Sequence, residues 1–296
     1  MRKIFIEELI FAAKRNKKII LMVNDLGFGV VEKFANLFPK QFINAGVAEQ
    51  NMMGMAAGLA MDNNHVFVYS IGNFPTFRCA EQIRNDIDYH NLPVTIVNVG
   101  SGISYGNLGY SHHSIQDYAL MRAMPNLLIA SPTNQDEVKR SLNFLIKNPQ
   151  PSYLRLSKNG LNNELAKKKN KLSKLKAGHW CLIKRGDKRN IILTTGENSS
   201  EIKSILLKKK YQNYSIFSLP LWGMKHKKIQ VEQAKKYKNI LILEDHLQDG
   251  GFGSWFKEAL TKSNIKTNIE HLYLESSVVG QVGTSNYLTK KYFKKI

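Results

Sequence analysis

Short apolar runs alternate with helix-forming segments along the whole chain, and no other feature of the sequence constrains the fold as tightly. Ile19-Ile20-Leu21-Met22-Val23 runs into the turn Asn24-Asp25-Leu26-Gly27. Comparable runs fall at residues 41–44, 65–70, 94–99, 127–130 and 152–156, and again at 191–195, 214–218 and 240–244. Between them, residues 4–15, 48–61, 76–90, 134–147, 199–208, 229–237 and 252–262 carry helical periodicity. The helix at 134–147 has Thr133 or Asn134 as its cap. Continuous apolar strands, rather than alternating ones, belong to sheets covered on both faces. The pattern predicts an α/β protein with mostly parallel sheets flanked by helices.

Residues 159–176 interrupt the alternation with Lys and Asn and little apolar periodicity. With 296 residues and a prior of roughly 150 per domain, the break predicts two domains, 1–160 and 178–296, joined by a linker at 161–177. The helix at 48–61 is rich in Gly and Ala, so it is expected to pack tightly. Two cysteines, Cys79 and Cys181, exclude a disulfide scaffold and a Cys-rich zinc site. Apolar runs such as Ile19–Val23 are far too short to span a membrane, and the N-terminus turns acidic too soon for a signal peptide. A cytoplasmic protein without a membrane partner is expected. The net charge of +20 raises the question of nucleic acid. Only nine of the 43 basic residues are Arg, the residue suited to bidentate phosphate contacts, and the lysines cluster in runs such as 167–169, 208–210, 225–228 and 290–295. A solvated basic surface is the expectation, and no nucleic-acid partner.

The most informative stretch is Gly46-Val47-Ala48-Glu49-Gln50, followed by a helix of small residues. A carboxylate in the first turn is favoured by the helix dipole. By itself that is a common helix start. In order along the chain, however, this stretch and its successors resemble the transketolase superfamily of thiamine-diphosphate enzymes. Residues 69–77 resemble the family's Ser-Thr-Phe segment, and Asn91-Leu92-Pro93-Val94 its Asn-Leu-Pro-Val. Residues 106–117 resemble its Asp-Gly-x-Thr-His-Gln loop. Met124-Pro125-Asn126 and Ser131-Pro132-Thr133-Asn134 follow. Glu244-Asp245-His246 and Gly250-Gly251-Phe252-Gly253 resemble the Glu-Glu-His and Gly-Gly-Phe-Gly of the family's C-terminal domain.

The resemblance implies a pyrimidine-binding domain followed by a transketolase C-terminal domain. It implies roles as well. Glu49 would protonate the aminopyrimidine ring of thiamine diphosphate. Phe77 would stack on that ring, Phe74 would form a wall, and Asp25 and Leu26 would lie beside the cofactor. His112 would bind a donor oxygen or shuttle a proton. Arg155, Arg78 and Lys158 would meet a substrate phosphate. Bland alternatives exist for each: core packing for the two Phe, an Asx turn for Asp25, surface ion pairs for the basic residues.

Four departures stand out. Leu108 occupies the place of the family's loop Asp, which leaves acceptor specificity open, and His113 stands where Gln is usual. Gly29 stands near a phosphate-binding Ser. More important, the family's metal-binding Gly-Asp-Gly pattern is missing; Gly186-Asp187-Lys188 lacks the second Gly. The chain looks like the C-terminal subunit of a split transketolase. A separate N-terminal subunit would carry the diphosphate-binding domain and hold Mg2+ (or Ca2+), in an α2β2 assembly that also pairs two copies of this chain. The expected reaction is transfer of a two-carbon ketol unit from a ketose to an aldose, a transferase of aldehyde or ketone groups. The alternatives are a β subunit of a 2-oxoacid dehydrogenase, a deoxyxylulose-phosphate-synthase-like acyl transferase, or a non-catalytic scaffold subunit.

Overall fold

A computed structural model describes residues 1–157 and 174–294. The central part of the predicted linker, and Lys158 with it, lies outside the described residues. The first six strands are β1 (Ile19–Val23), β2 (Phe42–Asn44), β3 (His65–Ile71), β4 (Val94–Val99), β5 (Leu128–Ala130) and β6 (Ser152–Leu156). The second half supplies β7 (Cys181–Lys184), β8 (Asn190–Thr194), β9 (Ser215–Ser218), β10 (Leu221–Trp222), β11 (Asn239–Leu247) and β12 (Asn268–Leu274). They form a seven-stranded sheet of order β10-β5-β6-β4-β3-β1-β2 and a five-stranded sheet of order β12-β11-β8-β9-β7. Among the described strands, only the edge strands β10 and β7 run antiparallel. Every residue of β1, β4 and β6 is buried, as a strand covered on both faces requires.

One face of the large sheet is covered by the helix Arg2–Ala13, through Phe5, Ile6 and Leu9, and by Gln135–Lys147, through Val138, Leu142 and Leu145. The Gln135–Lys147 helix has a reciprocal cap. Asn134 Oδ1 accepts from the Glu137 N–H at 3.0 Å, while Glu137 accepts from the Thr133 N–H at 2.9 Å. The other face is covered by Glu49–Met61, through Met52, Met53, Ala56, Ala57 and Ala60, and this apolar cluster continues through Trp222, Trp255 and Phe256 to the second sheet at Ile191, Leu193, Ile240 and Ile242. The small residues of that helix therefore divide. Its alanines pack, whereas Gly54 and Gly58 are exposed, with nothing within 4 Å of where a Cβ would stand.

The elements that sequence periodicity misses are short or on edges: β7, β10, β12 and the helices Glu32–Leu37, Asp117–Met121 and Ser285–Tyr292. The helix expected at 76–90 is a 3-10 turn at Phe77–Cys79, a single turn at Ala80–Gln82 and a π segment at Ile83–Asp88. Cys79 is buried and Cys181 half-buried, and burial pushes both thiols up to about 12, so neither is a ready nucleophile. Among the described residues, no helix is long and apolar enough to cross a membrane.

The two halves are locked by one buried guanidinium. Arg155, at the end of β6, donates from Nε to Asp117 Oδ2 at 2.7 Å and from Nη1 to Asp245 Oδ1 of β11 at 2.5 Å. Its Nη2 donates to the Ser114 carbonyl at 2.7 Å, and its face lies 4.3 Å from the Tyr118 ring centre. Gly102, at φ 59°, has Asp245 where a Cβ would stand, so this approach admits only glycine. Replacing Arg155 with Met leaves two buried carboxylates without their cation. It is expected to cost about 3–5 kcal/mol, read as a lowered denaturant midpoint.

His65, which opens β3, is buried and hydrogen-bonds through Nε2 to Thr95 Oγ1 at 2.9 Å. Burial lowers its pKa from 6.5 to about 4. Between those values the unfolded chain binds the extra proton, so stability is lost on acidification through that window, by about 3 kcal/mol in full. The variant His65→Gln should show a shallower fall in stability between pH 6.5 and 4 than the parent chain.

Candidate functional site

Because β1, β2, β3 and β4 are parallel, their carboxyl ends share one edge of the large sheet. Ligands bind at that edge in open α/β sheets. β1 delivers Asn24 and Asp25, β2 delivers the Asn44–Gly46 turn and Glu49, β3 delivers residues 72–78, and β4 delivers the loop at 100–114.

Glu49 is the first residue of its helix and is 7% exposed. Its Oε1 accepts from Asn24 Nδ2 and from Arg78 Nη1, each at 2.9 Å. The Arg78 guanidinium also lies 4.5 Å from the centre of the Phe74 ring. Phe74 in turn meets His112 edge-on, with ring centres 5.2 Å apart. Asn73 Nδ2 donates to the His113 carbonyl at 2.7 Å and ties the two loops together. Glu49, Arg78, Phe74 and His112 thus form one continuous line of contacts. Burial lowers the pKa of His112 and of the buried His113, so both rings are neutral near pH 7.

Phe77 is half-exposed, beside this line rather than within the core. Asp25 is exposed, at φ 55°, and exchanges hydrogen bonds with Asn44: its N–H donates to Asn44 Oδ1 at 2.9 Å and its Oδ1 accepts from Asn44 Nδ2 at 3.2 Å. Its side chain closes the turn after β1, and Leu26 packs partly into the core. Gly29 and Leu108 are exposed on the surface around the site.

The two described basic residues expected at a substrate phosphate, Arg155 and Arg78, are both engaged within the chain. Arg155 is fully buried, and its donors go to Asp117, Asp245 and Ser114, so nothing remains to hold a phosphate. Arg78 faces the Glu49 carboxylate instead. Two residues of the site escaped sequence reasoning, Asn24 and Asn73. Each is the polar residue within two positions of the end of a buried strand, which is the signal that could have found them. Asn24 Oδ1 and Asn73 Oδ1 are buried without a hydrogen-bond partner among the described residues. Buried polar atoms without partners are rare and call for an explanation. Among the described residues, no group of three or more His, Cys, Asp or Glu is placed to hold a metal ion.

The family model for the transketolase pyrimidine binding domain matches residues 1–163, more than half of the sequence. The chain belongs to the transketolase family. A provisionally named transketolase C-terminal section from Methanocaldococcus jannaschii is 32% identical over 295 residues, 99% of this chain and 91% of that protein. An apulose-4-phosphate transketolase subunit from Phocaeicola vulgatus is 27% identical over 282 residues, 94% and 89% of the two chains. A solved split-gene transketolase, described as an inactive beta4 tetramer, superposes with a TM-score of 0.81 at 25% identity, over 98% of this chain and 92% of that one. Two mostly parallel sheets flanked by helices are therefore the transketolase pyrimidine-binding and C-terminal architecture.

In this transketolase-family chain the C-terminal Glu-Asp-His and Gly-Gly-Phe-Gly motifs have structural work. Glu244 accepts from the Phe252 and Gly253 N–H groups at 2.6 and 2.9 Å and pairs with His271 Nε2 at 2.6 Å. A Cβ on Gly253 would collide with the His271 ring. The Arg78–Glu49 pair is different in kind. Its arginine side chain is 53% exposed, and exposed pairs contribute about 0–1 kcal/mol. Arg78→Met should lower the thermal midpoint less than Arg155→Met does, because Asn24 still donates to Glu49 and solvent reaches the rim.

Proposed function

We propose that this chain is the pyrimidine-binding subunit of a split, thiamine-diphosphate-dependent transketolase. It would transfer a two-carbon ketol unit from a ketose, phosphorylated in the expected case, to an aldose. The observation that carries the reading is the buried Glu49 carboxylate at the carboxyl edge of the sheet, held by Asn24 and opening onto Phe74, Phe77 and His112. The length also supports it. The chain spans about nine-tenths of a relative named as one subunit of a transketolase and of a solved split-gene transketolase.

The residues fit an aminopyrimidine. A carboxylate with one unshared oxygen faces outward, the unpartnered Asn24 Oδ1 sits beside it, and the half-exposed Phe77 ring offers a stacking face. The chemistry supplied by the bound cofactor is a nucleophilic ring carbon. Glu49 holds a proton at the aminopyrimidine ring nitrogen, and Asn24 fixes the carboxylate that does so. Phe77 and Phe74 orient the ring and keep water from one side of it. His112, neutral near pH 7, is able to hold or release a proton at the substrate oxygen. Asp25 and Leu26 shape the turn next to the cofactor. The exposed guanidinium of Arg78, were it released from Glu49, would suit an anionic substrate group, and Lys158, outside the described residues, would be a second such group.

Mg2+ (or Ca2+) and the diphosphate belong in this reading to an N-terminal partner subunit, because the sequence lacks the family's metal-binding Gly-Asp-Gly pattern. The open face of the Glu49–Met61 helix, with Gly54, Gly58 and the exposed Met55 and Met61, suits coverage by another subunit in an α2β2 assembly. A related chain assembled from beta subunits alone is described as inactive, which accords with dependence on the partner.

Calorimetry with thiamine diphosphate and Mg2+ tests this. The chain alone should show no saturable binding, and the chain with its N-terminal partner should bind tightly. In the assembled enzyme, Glu49→Gln should lower two-carbon transfer by roughly 10²–10⁴-fold while assembly persists. Binding by neither mixture would leave a scaffold subunit as the function.

A further inference from the structure

The edge strand of the second sheet, β12, leaves a cleft open beside the helix Phe252–Leu260. Successive residues of a strand point to opposite faces, so Ile269, His271 and Tyr273 share one face, and Glu270 and Leu272 the other. The first face meets the helix at Gly253, where a Cβ would collide with the His271 ring. Lys257 stands one turn further along the same side of that helix. Lys294 comes from the C-terminal segment, and its N–H donates to the Tyr273 carbonyl at 2.9 Å. With Gln248, these residues border a cavity of about 340 Å³. Lys295 and Ile296 lie outside the described residues, and no part of the site is assigned to them.

The free charge at this cavity is positive. The Lys257 ammonium has no hydrogen bond or ion pair among the described residues. Burial, and then the charge of Lys294, hold it below its ordinary pKa, while Glu244 offsets part of that shift. Lys294 Nζ donates only to the neutral Tyr273 hydroxyl, at 3.1 Å. Both carboxylates nearby are already matched. Glu270 accepts from Lys210 Nζ at 2.6 Å and from the Tyr211 hydroxyl at 2.7 Å. Glu244 accepts from the Phe252 and Gly253 N–H groups and from His271.

A second observation points to a ligand. His271 is 6% exposed and lines the cavity. Its Nε2 lies 2.6 Å from the Glu244 carboxylate, which can only accept, so Nε2 carries the hydrogen and Nδ1 of the neutral ring carries a lone pair. Nδ1 is buried without a hydrogen-bond partner among the described residues. Two ammonium donors and one buried acceptor therefore face the same space. An organic cation would meet two like charges. A sulfate would satisfy the lysines but has no hydrogen for Nδ1, and a phosphate monoester dianion lacks one too. We propose that this cavity binds hydrogen phosphate, with its anionic oxygens on Lys257 and Lys294 and its hydroxyl donating to His271 Nδ1. The bound dianion supplies the counter-charge that the lysines lack, in charge-assisted hydrogen bonds. Glu244 fixes the ring that reads the hydroxyl, which gives the Gly-Gly-Phe-Gly turn it holds a place beside a ligand.

The test is calorimetric titration of the full chain with inorganic phosphate at about pH 8, with sulfate and methyl phosphate as controls. The expected result is saturable phosphate binding, with both controls weaker by at least about tenfold, the effect of one lost hydrogen bond to a charged group. Lys257→Met and Lys294→Met should each weaken phosphate by a similar factor. Circular dichroism spectra matching the parent would show that both variants are folded. No saturable phosphate binding, binding unchanged in the folded variants, or sulfate or methyl phosphate bound as tightly as phosphate would each overturn the proposal. Because the readout needs neither thiamine diphosphate nor the partner subunit, its failure is separate from failure of the transketolase reading.

Discussion

The contact on which the molecule depends is the buried guanidinium of Arg155 between Asp117 and Asp245. Taking a cation and two carboxylates out of water is costly, and the cost is recovered only when every donor and acceptor is matched. The fold approaches that condition, leaving only Asp117 Oδ1 of the three charged groups buried without a hydrogen-bond partner among the described residues, by bringing four chain segments to one point. β6 carries the arginine. The segment at 114–118 provides a carbonyl, a carboxylate and the Tyr118 ring, β11 provides the second carboxylate, and Gly102 makes room for it. His246, buried and neutral, stacks on the Tyr118 ring with centres 5.1 Å apart. An arrangement so demanding of geometry fixes the relation of the two sheets more sharply than apolar contact alone would.

That fixed relation positions the site. The loop at 100–114 is anchored at one end by Gly102 against Asp245 and at the other by Ser114 against Arg155, and it carries His112 between those anchors. The loop at 72–78 is tied to it through Asn73. Hence His112, Phe74 and Glu49 come from three strands yet lie in one line. The sheet is parallel, so all of them emerge at the same edge. β10, a strand from the second half, completes the large sheet by pairing with β5. The two halves share a sheet as well as a core.

Much of this was legible in the residues. Long buried strands declare themselves by composition, because burial on both faces leaves no room for polar alternation; β1, β4 and β6 are of that kind. The strands that stayed hidden, β7, β10 and β12, are edges with mixed exposure or only two residues long, and their pairing is decided by tertiary contacts. The helix at 76–90 was visible as a helix, but not its π segment, whose last residue, Asp88, accepts from the Asn126 N–H at 2.9 Å across 38 residues. In the site, Glu49, Phe74 and His112 could be named from their order along the chain. Arg155 could not be placed. A motif gives the residue type and its strand, while its burial is set by Asp117 and Asp245, distant in sequence and themselves unremarkable there.

Arg78 illustrates the remaining gap between a sequence and a site. Its position in the pattern led to a phosphate, and in the free chain it lies on Glu49. Both follow from the same physics. A carboxylate that is 7% exposed needs a counter-charge or hydrogen-bond donors, and Asn24 alone supplies one donor. A long side chain rooted at the rim supplies the rest while leaving about half its surface in water. Such a contact lowers the cost of burying Glu49 without the commitment made at Arg155, because solvent stands ready to receive the guanidinium when it leaves. The two arginines thus mark two kinds of ion pair in this fold: one sealed between the halves, and one left half-open at the Glu49 carboxylate.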